Sequence, residues 1–467
     1  MELEKEDALS EWYHKVLKEA KIVDSRYPIK GTLVYRKWGV FVIRSIQREL
    51  EKMLETAGHE PTFFPVMIPE NILGKETKHI AGFEDEVFWI THAGKNKLDV
   101  KLALRPTSET PMYEMFSLWI RSYNDLPFKI HQSCAVYRYE TKHTRPLIRG
   151  REFLWNEGHS AHTDYGDAEK NISEIKEIYK KLINELLCLP FIIDKRPEWD
   201  KFPGAEYTLA FDTIMPDGKV LQIATAHHLG ENFSKVFDIK YEDETGKQKF
   251  VHQTSYGPSF GRLLAAAILI HGDEKGLVLP PKIAPVQVVI VPIVFKGKTD
   301  EIYDYANKIK EKLDALGIRN IIDSRELHAG EKYYHWEMKG VPVRFEAGPR
   351  DLKAGKVFVA RRDTGEKFAL DYDEINNKIF ELFKNIEDNL RDTAQEKFEK
   401  KFFKAENFNE IDEFTGKGII ESGWCGEKSC ADEIEKHSDM IAVEEGKDAA
   451  CPVCGGFGYR IRVAKTY

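Results

Sequence analysis

The sequence lacks long apolar runs, an excess of positive charge and an apolar leader. No uninterrupted apolar stretch approaches the ~20 residues that cross a bilayer, and residues 1–10 are acidic and polar rather than signal-like. The formal net charge is −8, which excludes a chain that coats nucleic acid over its whole surface. We therefore expect a soluble cytoplasmic protein whose RNA contacts come from local basic patches.

Cysteine is scarce, and its placement is uneven. Of the six cysteines, Cys134 and Cys188 stand alone and are predicted to be small core residues. In a reducing compartment clustered thiols indicate a metal rather than disulfides, and four thiolates favour a closed tetrahedral zinc site with a structural task. The four clustered residues form C-x4-C and C-x2-C pairs and are Cys425, Cys430, Cys451 and Cys454.

The chain is too long for one ordinary core. At 467 residues and roughly 150 residues per domain, it predicts about three domains. The glycine- and proline-rich stretch 272–285 reads as a linker. A β-branched run at 286–294 then precedes a helical pattern and further short strands, which is typical of an α/β unit. The expected domains are residues 1–280, 285–385 and 390–467.

A charged hairpin is predicted within residues 137–162. A strand ends at 137–140, a polar turn follows, and a return strand runs through 147–155. Arginine binds phosphate through paired N–H donors, and a neighbouring carboxylate accepts from amine groups. From the charges alone, a salt-bridged surface hairpin stays an alternative. The candidate residues are Arg138, Glu140 and Arg149.

An acidic and aromatic face follows on the return strand. Trp155, Glu157 and His159 alternate, so their side chains share one face, and an aromatic wall beside a carboxylate suits a small apolar ring that carries an ammonium group. Upstream, Thr107 and Glu109 lie on a loop that enters a helix. There they can cap the helix or accept from an ammonium group in a dry pocket, and both roles can coexist.

Three further segments offer candidate side chains. Phe202, in the phrase KFPGAEY, is an aromatic candidate for a pocket floor. The segment 222–228 holds Gln222 as a candidate for metal-bound phosphates and Thr225 and His227 as candidates for substrate, although a histidine pair is more often structural. Arg262 follows SYGPSFG at a predicted helix start, where a lone arginine is usually solvated.

Several of these phrases together resemble the motifs of class II aminoacyl-tRNA synthetases. The hairpin, with TRPLIRGRE and WNEGHSAH, is similar to motif 2 of the prolyl-tRNA synthetases of the archaeal and eukaryotic-like type, and SYGPSFGR is similar to motif 3. A predicted helix at 40–57 and a strand around 63–67 resemble motif 1, which implies a dimer interface. The resemblance covers nearly the whole chain and implies an α/β and α+β multidomain fold. Its parts are an antiparallel sheet flanked by helices, an α/β anticodon-binding domain and a C-terminal zinc-binding domain.

The resemblance also implies residue roles, which we state as expectations. The catalytic arginines are Arg138 and Arg262. The proline-binding residues are Thr107, Glu109, Arg138, Trp155, Glu157, His159, Phe202, His227 and Ser255. The ATP-binding residues are Arg138, Glu140, Arg149, Gln222, Thr225 and Arg262.

A third set concerns the predicted anticodon domain. Glutamate accepts from base amines and arginine is bidentate to guanine, so these residues suit a guanine-rich anticodon in a single-stranded loop. A charged solvent face is the alternative. The candidates are Glu337, Arg344 and Arg350.

The implied activity is ATP-dependent attachment of L-proline to tRNA(Pro) through a prolyl-adenylate, by a homodimer that binds Mg²⁺ with ATP and a structural Zn²⁺. A loop at 79–89 is expected to close over proline, and Tyr467 is expected to fold back toward the catalytic domain. Two alternatives stay open: a non-catalytic paralogue that binds tRNA, and an enzyme for threonine, serine or glycine. Alanine and cysteine also remain possible substrates, because small apolar pockets separate similar side chains by only ~1–3 kcal/mol.

Overall fold

The computed structural model describes residues 6–75, 86–140, 143–294 and 299–467. Residues 79–85 of the segment expected to close over proline lie outside this part of the chain. Within it, no helix is both long and apolar enough to cross a membrane.

Helices form where apolar residues recur at three- and four-residue spacing. A π-helical stretch at Lys181–Leu186 continues the fifth helix, and short 3-10 turns lie at Tyr123–Asp125 and Tyr372–Glu374. The α-helices are α1 (Glu6–Glu19), α2 (Lys37–Thr56), α3 (Glu70–Leu73), α4 (Glu109–Trp119), α5 (Tyr165–Lys180), α6 (Asn232–Phe237), α7 (Phe260–His271), α8 (Thr299–Ala315), α9 (Ala329–Met338), α10 (Pro349–Ala354), α11 (Ile375–Glu399), α12 (Phe408–Phe414) and α13 (Lys428–Glu435).

The first part of the chain contains one large, mainly antiparallel sheet and smaller sheets beside it. Its strands are β1 (Val23–Asp24), β2 (Val34–Tyr35), β3 (Glu60–Pro61), β4 (Met67–Pro69), β5 (Trp89–Ala93), β6 (Asn96–Leu104), β7 (Phe128–Tyr137), β8 (Glu152–His162), β9 (Ile192–Lys195), β10 (Tyr207–Ile214), β11 (Val220–Gly230), β12 (Lys240–Glu242), β13 (Gln248–Phe250) and β14 (His252–Pro258). Seven of them form one sheet in the order β3-β7-β8-β14-β11-β10-β9, and only the β3–β7 pair is parallel. The predicted antiparallel sheet flanked by helices is confirmed.

Two smaller sheets follow along the chain. Their strands are β15 (Val288–Pro292), β16 (Asn320–Ile322), β17 (Val343–Ala347), β18 (Lys356–Arg361), β19 (Lys367–Asp371), β20 (Phe402–Lys404), β21 (Ile419–Trp424), β22 (Asp439–Ala450) and β23 (Phe457–Ala464). The five-stranded sheet has the order β16-β15-β17-β18-β19, with β15 parallel to both neighbours, as the predicted α/β pattern requires. The four-stranded sheet has the order β20-β21-β23-β22.

Two strand predictions are displaced. The strand predicted around 63–67 begins only at Met67, as β4; residues 62–66 connect β3 to β4, and Phe63 is 84% exposed. The return strand of the hairpin begins at Glu152 rather than at Leu147. The physical reason is a closed turn, in which the Arg149 amide donates to the Arg145 carbonyl at 2.9 Å and Leu147 adopts a φ of 65°.

Helix α2 anchors the core behind the seven-stranded sheet. It carries Ile46, Leu50 and Leu54, each with no exposed surface, and burial of each contributes ~1.5–3 kcal/mol. Helix α2 packs against α7, and α7 lies against β8 and β11. This packing holds the first turn of α7, which contains Arg262, against the sheet.

Polar contacts join the first part of the chain to the part that holds the five-stranded sheet. Arg362 donates to both carboxylate oxygens of Asp273 at 2.6 and 2.5 Å, and the Trp38 indole donates to the Lys339 carbonyl at 3.0 Å.

Helix α11 runs past the expected boundary near residue 390 and ends at Glu399. The domain boundaries stay predictions.

Candidate active site

A cavity of about 310 Å³ lies over strands β8, β10, β11 and β14 of the seven-stranded sheet. Every side chain expected to bind proline or ATP lines it. They are Thr107, Glu109, Arg138, Glu140, Arg149, Trp155, Glu157, His159, Phe202, Gln222, Thr225, His227, Ser255 and Arg262.

A β-bulge explains how strand β11 contributes three of them. Gln222 has the wrong parity to share a face with Thr225 and His227 in a regular strand. The pairing of β10 with β11 shifts between Phe211 and Asp212, which leaves Ile223 unpaired. The extra residue re-aims the strand, so that all three side chains reach the cavity.

Glu157 organises one end of the cavity. Its carboxylate accepts from the Ser108 amide at 3.1 Å, the Ser108 hydroxyl at 2.5 Å and the Gln132 amide at 2.8 Å. Burial alone would raise its pKa, but hydrogen bonds and charge from His159, together with those from Ser108 and Gln132, lower the pKa below its usual value. Glu157 is therefore ionised, and it fixes the loop that carries the two residues on either side of Ser108.

Thr107 and Glu109 lie on that loop and are both buried. The Thr107 hydroxyl donates to the Glu109 carboxylate. Ser108 is the N-cap residue of α4, yet no side chain caps the helix there. Ser108 therefore does not cap α4 through its side chain, Glu109 lies in the first turn of the helix, and the Thr107–Glu109 pair lines the cavity.

Aromatic rings form the wall beside this carboxylate end. The rings of Phe202 and His227 lie with centroids 4.8 Å apart, and Thr208 holds Nδ1 of His227 at 2.9 Å. Burial, with a contribution from His159, lowers the pKa of His227 to about 3. The imidazole is therefore neutral and acts as part of an apolar wall.

Arg149 and Arg262 occupy the opposite end. Arg138 lies between the two ends, because it donates to the Pro106 carbonyl beside Thr107 at 3.0 Å. Arg138 lies over the rings of Phe153 and Trp155, with its guanidinium carbon 5.4 and 5.5 Å from their centroids. Arg262 donates to the carbonyls of Ile148 and Gln222 at 3.1 and 2.9 Å. Because Arg262 is held by neutral carbonyls, its charge remains available to an anion.

These cations repel one another. Burial and then the charges of Arg149 and Arg138 lower the pKa of Arg262 to about 10. The guanidinium still carries its charge at neutral pH, and Arg149 has a carboxylate near it, Glu140, at 3.6 Å. An anion bound here would relieve the repulsion, so this end of the cavity suits phosphate groups.

Arg196 also reaches the cavity and orients Gln222. Its guanidinium donates to the side-chain oxygen of Gln222 at 3.1 Å, to Asp212 at 3.0 Å and to the Ile441 carbonyl at 2.6 Å. Because arginine only donates, Gln222 must turn its oxygen toward Arg196. The amide N–H groups of Gln222 are then its remaining groups for a ligand.

Tyr467 folds back to the same region. Its carbonyl oxygen accepts from Arg149 at 2.9 Å, and its hydroxyl donates to Asp217 at 2.6 Å. The guanidinium of Arg145 lies 5.0 Å from its ring centroid. The structure thus places Tyr467 beside an arginine that lines the cavity.

The expected anticodon residues lie on three elements, with Glu337 on α9, Arg344 on β17 and Arg350 on α10. Arg344 is only 6% exposed and pairs with Glu337 at 3.2 Å and Glu346 at 3.1 Å, while its guanidinium lies 3.7 Å from the Tyr333 ring centroid. Arg350 is exposed near the start of α10. A charged solvent face does not describe Arg344, because this residue is buried.

The four clustered cysteines meet at the end of the four-stranded sheet. Their sulfur atoms all lie within 4.8 Å of one another. Burial would raise the pKa of Cys451, but N–H groups of Cys454, Val453 and Cys425 donate to it and lower the pKa to about 7. Four thiols at this spacing fit one metal ion with Zn–S bonds of about 2.3 Å.

Comparison with known proteins decides the family. Residues 88–271 match the core domain of class II tRNA synthetases (G, H, P, S and T), and residues 287–382 match an anticodon binding domain. The proline–tRNA ligase of Methanopyrus kandleri is 48% identical over 98% of this chain and 96% of its own length. The chain belongs to the prolyl-tRNA synthetase family.

Solved structures of this family have the same fold. The prolyl-tRNA synthetase of Giardia lamblia, in complex with prolyl-adenylate, is 36% identical with a TM-score of 0.95 and covers 99% of both chains. The prolyl-tRNA synthetase of Cryptosporidium parvum, complexed with halofuginone and AMPPNP, is 36% identical with a TM-score of 0.92 over 98% of this chain and 95% of that one. The expected family and fold class are thereby confirmed.

Sequence reasoning on the prolyl-tRNA synthetase motifs missed several cavity residues. Arg196 and Asp200 precede strand β10, in a segment without a recognised phrase, and Phe153 was read only as part of the return strand. The alternation of Phe153 with Trp155 and Glu157 was a usable signal, because all three share one face. Arg196 offered no local signal, since tertiary folding brings it to Gln222.

Proposed function

We propose that this chain attaches L-proline to tRNA(Pro) in two steps, through a prolyl-adenylate. The observation that carries the proposal is the cavity itself, in which buried carboxylates, aromatic rings and three arginines line one space. A relative of the same fold is solved with prolyl-adenylate and another with AMPPNP. An intact arginine end also speaks against a non-catalytic paralogue, because repelling buried cations without a ligand only destabilise the fold.

In the first step a proline carboxylate oxygen attacks the α-phosphorus of ATP. The bond from that phosphorus to the bridging oxygen breaks, and pyrophosphate leaves with the electron pair. No covalent protein nucleophile is needed, so catalysis rests on positioning and on stabilising charge. Arg138 bridges the carboxylate and the α-phosphate, and Arg262 stabilises the negative charge from below.

The proline ammonium group binds at the Thr107–Glu109 pair. Glu157 and His159 hold this loop, and the proline ring packs on Trp155, Phe202 and the neutral His227. Ser255 supports the assignment independently, because its buried hydroxyl has no hydrogen-bond partner in the part of the chain that the structure describes. A buried hydroxyl of that kind calls for a ligand.

ATP occupies the arginine end. Glu140 lies near the adenine amine, Arg149 binds the distal phosphates, and Thr225 contacts the nucleotide. The orientation of Gln222 favours donation to a phosphate oxygen over metal ligation.

Mg²⁺ is expected to accompany ATP. Glu140 and Glu152 line the cavity and offer the oxygen ligands that Mg²⁺ prefers. The ion would neutralise charge on the phosphates.

In the second step a terminal ribose hydroxyl of tRNA(Pro) attacks the prolyl carbonyl, and AMP leaves. Glu337, Arg344 and Arg350 read the anticodon in this proposal. The contacts of Arg344 with Glu337, Glu346 and Tyr333 support it, because a guanidinium held in one plane is prepared to bind the edge of guanine.

A structural Zn²⁺ at Cys425, Cys430, Cys451 and Cys454 is part of the proposal. Its support is the mutual approach of the four sulfur atoms. Such a closed site has no open position for catalysis, so we assign it to the stability of the four-stranded sheet.

A cytoplasmic homodimer completes the proposal. Phe63, Met67, Leu118 and Trp119 are 84, 48, 55 and 44% exposed, and Trp119 contacts Phe64, the neighbour of Phe63, at a ring distance of 5.9 Å. Exposed apolar residues near one another favour burial against a second copy. Recovery of the protein with membranes after cell fractionation would contradict the cytoplasmic location.

The first test is amino-acid-dependent ATP–pyrophosphate exchange without tRNA. We expect exchange with proline and far weaker exchange with alanine, cysteine and threonine. No exchange with any amino acid would favour the non-catalytic paralogue, and stronger exchange with threonine would reassign the substrate.

A matched pair of variants controls this test. Arg138→Lys keeps the charge but loses the planar pair of donors, and we expect its exchange rate to fall by about 10²–10³-fold. Arg121→Lys changes an exposed arginine and should exchange at the wild-type rate. Equal rates for both variants would remove Arg138 from the proposal.

Removal of the metal should affect stability more than activation. We expect one zinc per chain by elemental analysis, and none in a Cys451→Ser/Cys454→Ser variant. The variant should unfold at a lower temperature, because the thiols of two loops are no longer tied together. A Cys134→Ser variant should keep its zinc. A zinc-free wild-type protein with unchanged stability would contradict the site.

If Glu337, Arg344 and Arg350 read the anticodon, changes to the anticodon or to Arg344 should lower the charging of tRNA but not pyrophosphate exchange. Replacement of anticodon guanines by adenine in a tRNA(Pro) transcript should cost about 1–3 kcal/mol of discrimination. Arg344→Lys should reduce the preference for guanine while pyrophosphate exchange stays unchanged. An undiminished preference in this variant would show that other residues read the anticodon.

Sedimentation tests the dimer. A chain of 53.9 kDa should sediment at twice that mass, and Phe63→Asp should shift the population toward the monomer, since it places a charge in the apolar contact. Lys52→Asp on exposed helix surface is the control. A monomeric wild-type protein at micromolar concentration would contradict the dimer.

A further inference from the structure

Four cations without carboxylate partners meet where helix α2 approaches the end of helix α9. Lys21, Arg36, Lys37 and Lys339 make up this group, which we call the junction cluster. In the ranges that the structure describes, none of the four has a carboxylate at ion-pair distance. The chain as a whole has a net charge of −8, so this concentration of positive charge runs against its overall charge.

Lys339 is the buried member of the junction cluster. The residue is only 8% exposed, and its Nζ lies 4.3 Å from the centroid of the Trp38 ring. A cation over an aromatic ring gains ~0.5–2 kcal/mol, and the C-terminal end of α9 adds a favourable dipole. Neither removes the need of a buried ammonium for an anion.

The beginning of helix α2 brings two further cations to the same place. Arg36 is its N-cap residue and Lys37 its first residue, with no side-chain cap and no acidic residue in the first turn. The N-terminus of a helix is its positive end, where cations are unfavourable by ~0.3–1 kcal/mol each. Helix formation therefore does not explain the choice of these residues.

The charged groups around Lys339 and His335 are mainly positive. Burial, followed by Lys21, Lys37, Arg325 and Arg36, lowers the pKa of Lys339 to about 8. Burial, followed by Arg325 and Lys339, lowers the pKa of His335 to about 4.

Acids near the junction cluster have other partners. Asp24, on which the charge of Arg36 also acts, pairs with Arg26 at 2.6 Å. Asp323 pairs with Arg325 at 2.6 Å and accepts from the Trp336 indole at 2.8 Å. Glu19 accepts from the Tyr334 hydroxyl at 3.3 Å. The junction cluster therefore needs its anion from outside the chain.

We propose that the junction cluster binds phosphate groups of the tRNA backbone. The inference rests on the proposed function for the identity of the polyanion. Lysine and arginine side chains bind phosphate without regard to base sequence. The members come from two parts of the chain, because Lys339 belongs to the matched anticodon binding domain while the other three precede the matched synthetase core. A phosphate held between them fixes the orientation of the tRNA between its anticodon and its acceptor end.

The salt dependence of tRNA affinity tests this site. We compare wild type with Lys339→Met, which keeps the apolar stem over Trp38, and with Arg36→Gln/Lys37→Gln, whose residues are exposed. Each lost phosphate contact should reduce the slope of log K against log salt by about 0.9. We expect a slope lower by about 1 for Lys339→Met and by up to about 2 for the double variant.

The matched control is Lys180→Gln/Lys181→Gln. These two exposed lysines give the same change in net charge as the double variant, and they lie away from the junction cluster at the end of α5. Their tRNA affinity and salt slope should equal those of wild type. An equal reduction in the control would show a general charge effect and overturn the proposal.

Pyrophosphate exchange without tRNA separates this proposal from the proposed function. All variants, the control included, should exchange at the wild-type rate. In charging, Lys339→Met and Arg36→Gln/Lys37→Gln should show a higher KM for tRNA and an unchanged kcat. Wild-type salt slopes in both junction variants would overturn the site even if exchange is normal. If the two junction variants are instead less inhibited by added pyrophosphate than wild type, the junction cluster binds a free polyphosphate. This result also overturns the proposal.

Discussion

Burial of charge on one face of an antiparallel sheet is the constraint on which the rest of the structure depends. The cavity holds carboxylates at one end and guanidinium groups at the other, and each buried charge requires hydrogen bonds or an opposite charge. Strand β8 meets this requirement through its period of two, because Phe153, Trp155, Glu157 and His159 all face the cavity. The charges of Glu109 and Glu157 act on Arg138, while the Glu157 carboxylate takes its hydrogen bonds from Ser108 and Gln132.

The same constraint extends to the four-stranded sheet. Arg196 is buried between Asp212, which has no exposed surface, and the carbonyl of Ile441 on β22. Arg462 of β23 pairs with the buried Asp194 at 2.5 Å. Loss of one partner would leave a buried charge uncompensated, which typically costs about 3–5 kcal/mol. The end of the chain therefore contributes to the base of the cavity, and β23 leads on to Tyr467 beside Arg149.

How far the site could be predicted depended on the distance between cooperating residues along the chain. Trp155, Glu157 and His159 were predictable because a local period of two places them together. Gln222 lines the cavity although its parity conflicts with that of Thr225, and only the bulge at Ile223, which the sequence does not reveal, explains its place. Arg196 was not predictable, because its partners lie on strands that only tertiary folding brings together. The start of β8 was wrong for a related reason, as a left-handed φ at Leu147 is not evident from a leucine.

The junction cluster follows the opposite logic to the cavity. In the cavity, carboxylates and guanidinium groups from several elements line one space, whereas Arg36 and Lys37 add like charge to a helix end that is already positive. Folding alone would favour acidic residues at that position, and the acids that lie close by are engaged with Arg26, Arg325 and Tyr334. Such repulsion destabilises the fold, and the folded state tolerates it because the rest of the chain has a large core. The junction cluster becomes favourable when a polyanion binds, because binding releases the counterions of both partners. A prolyl-tRNA synthetase must hold such a polyanion, its tRNA, across the two parts of the chain that meet here.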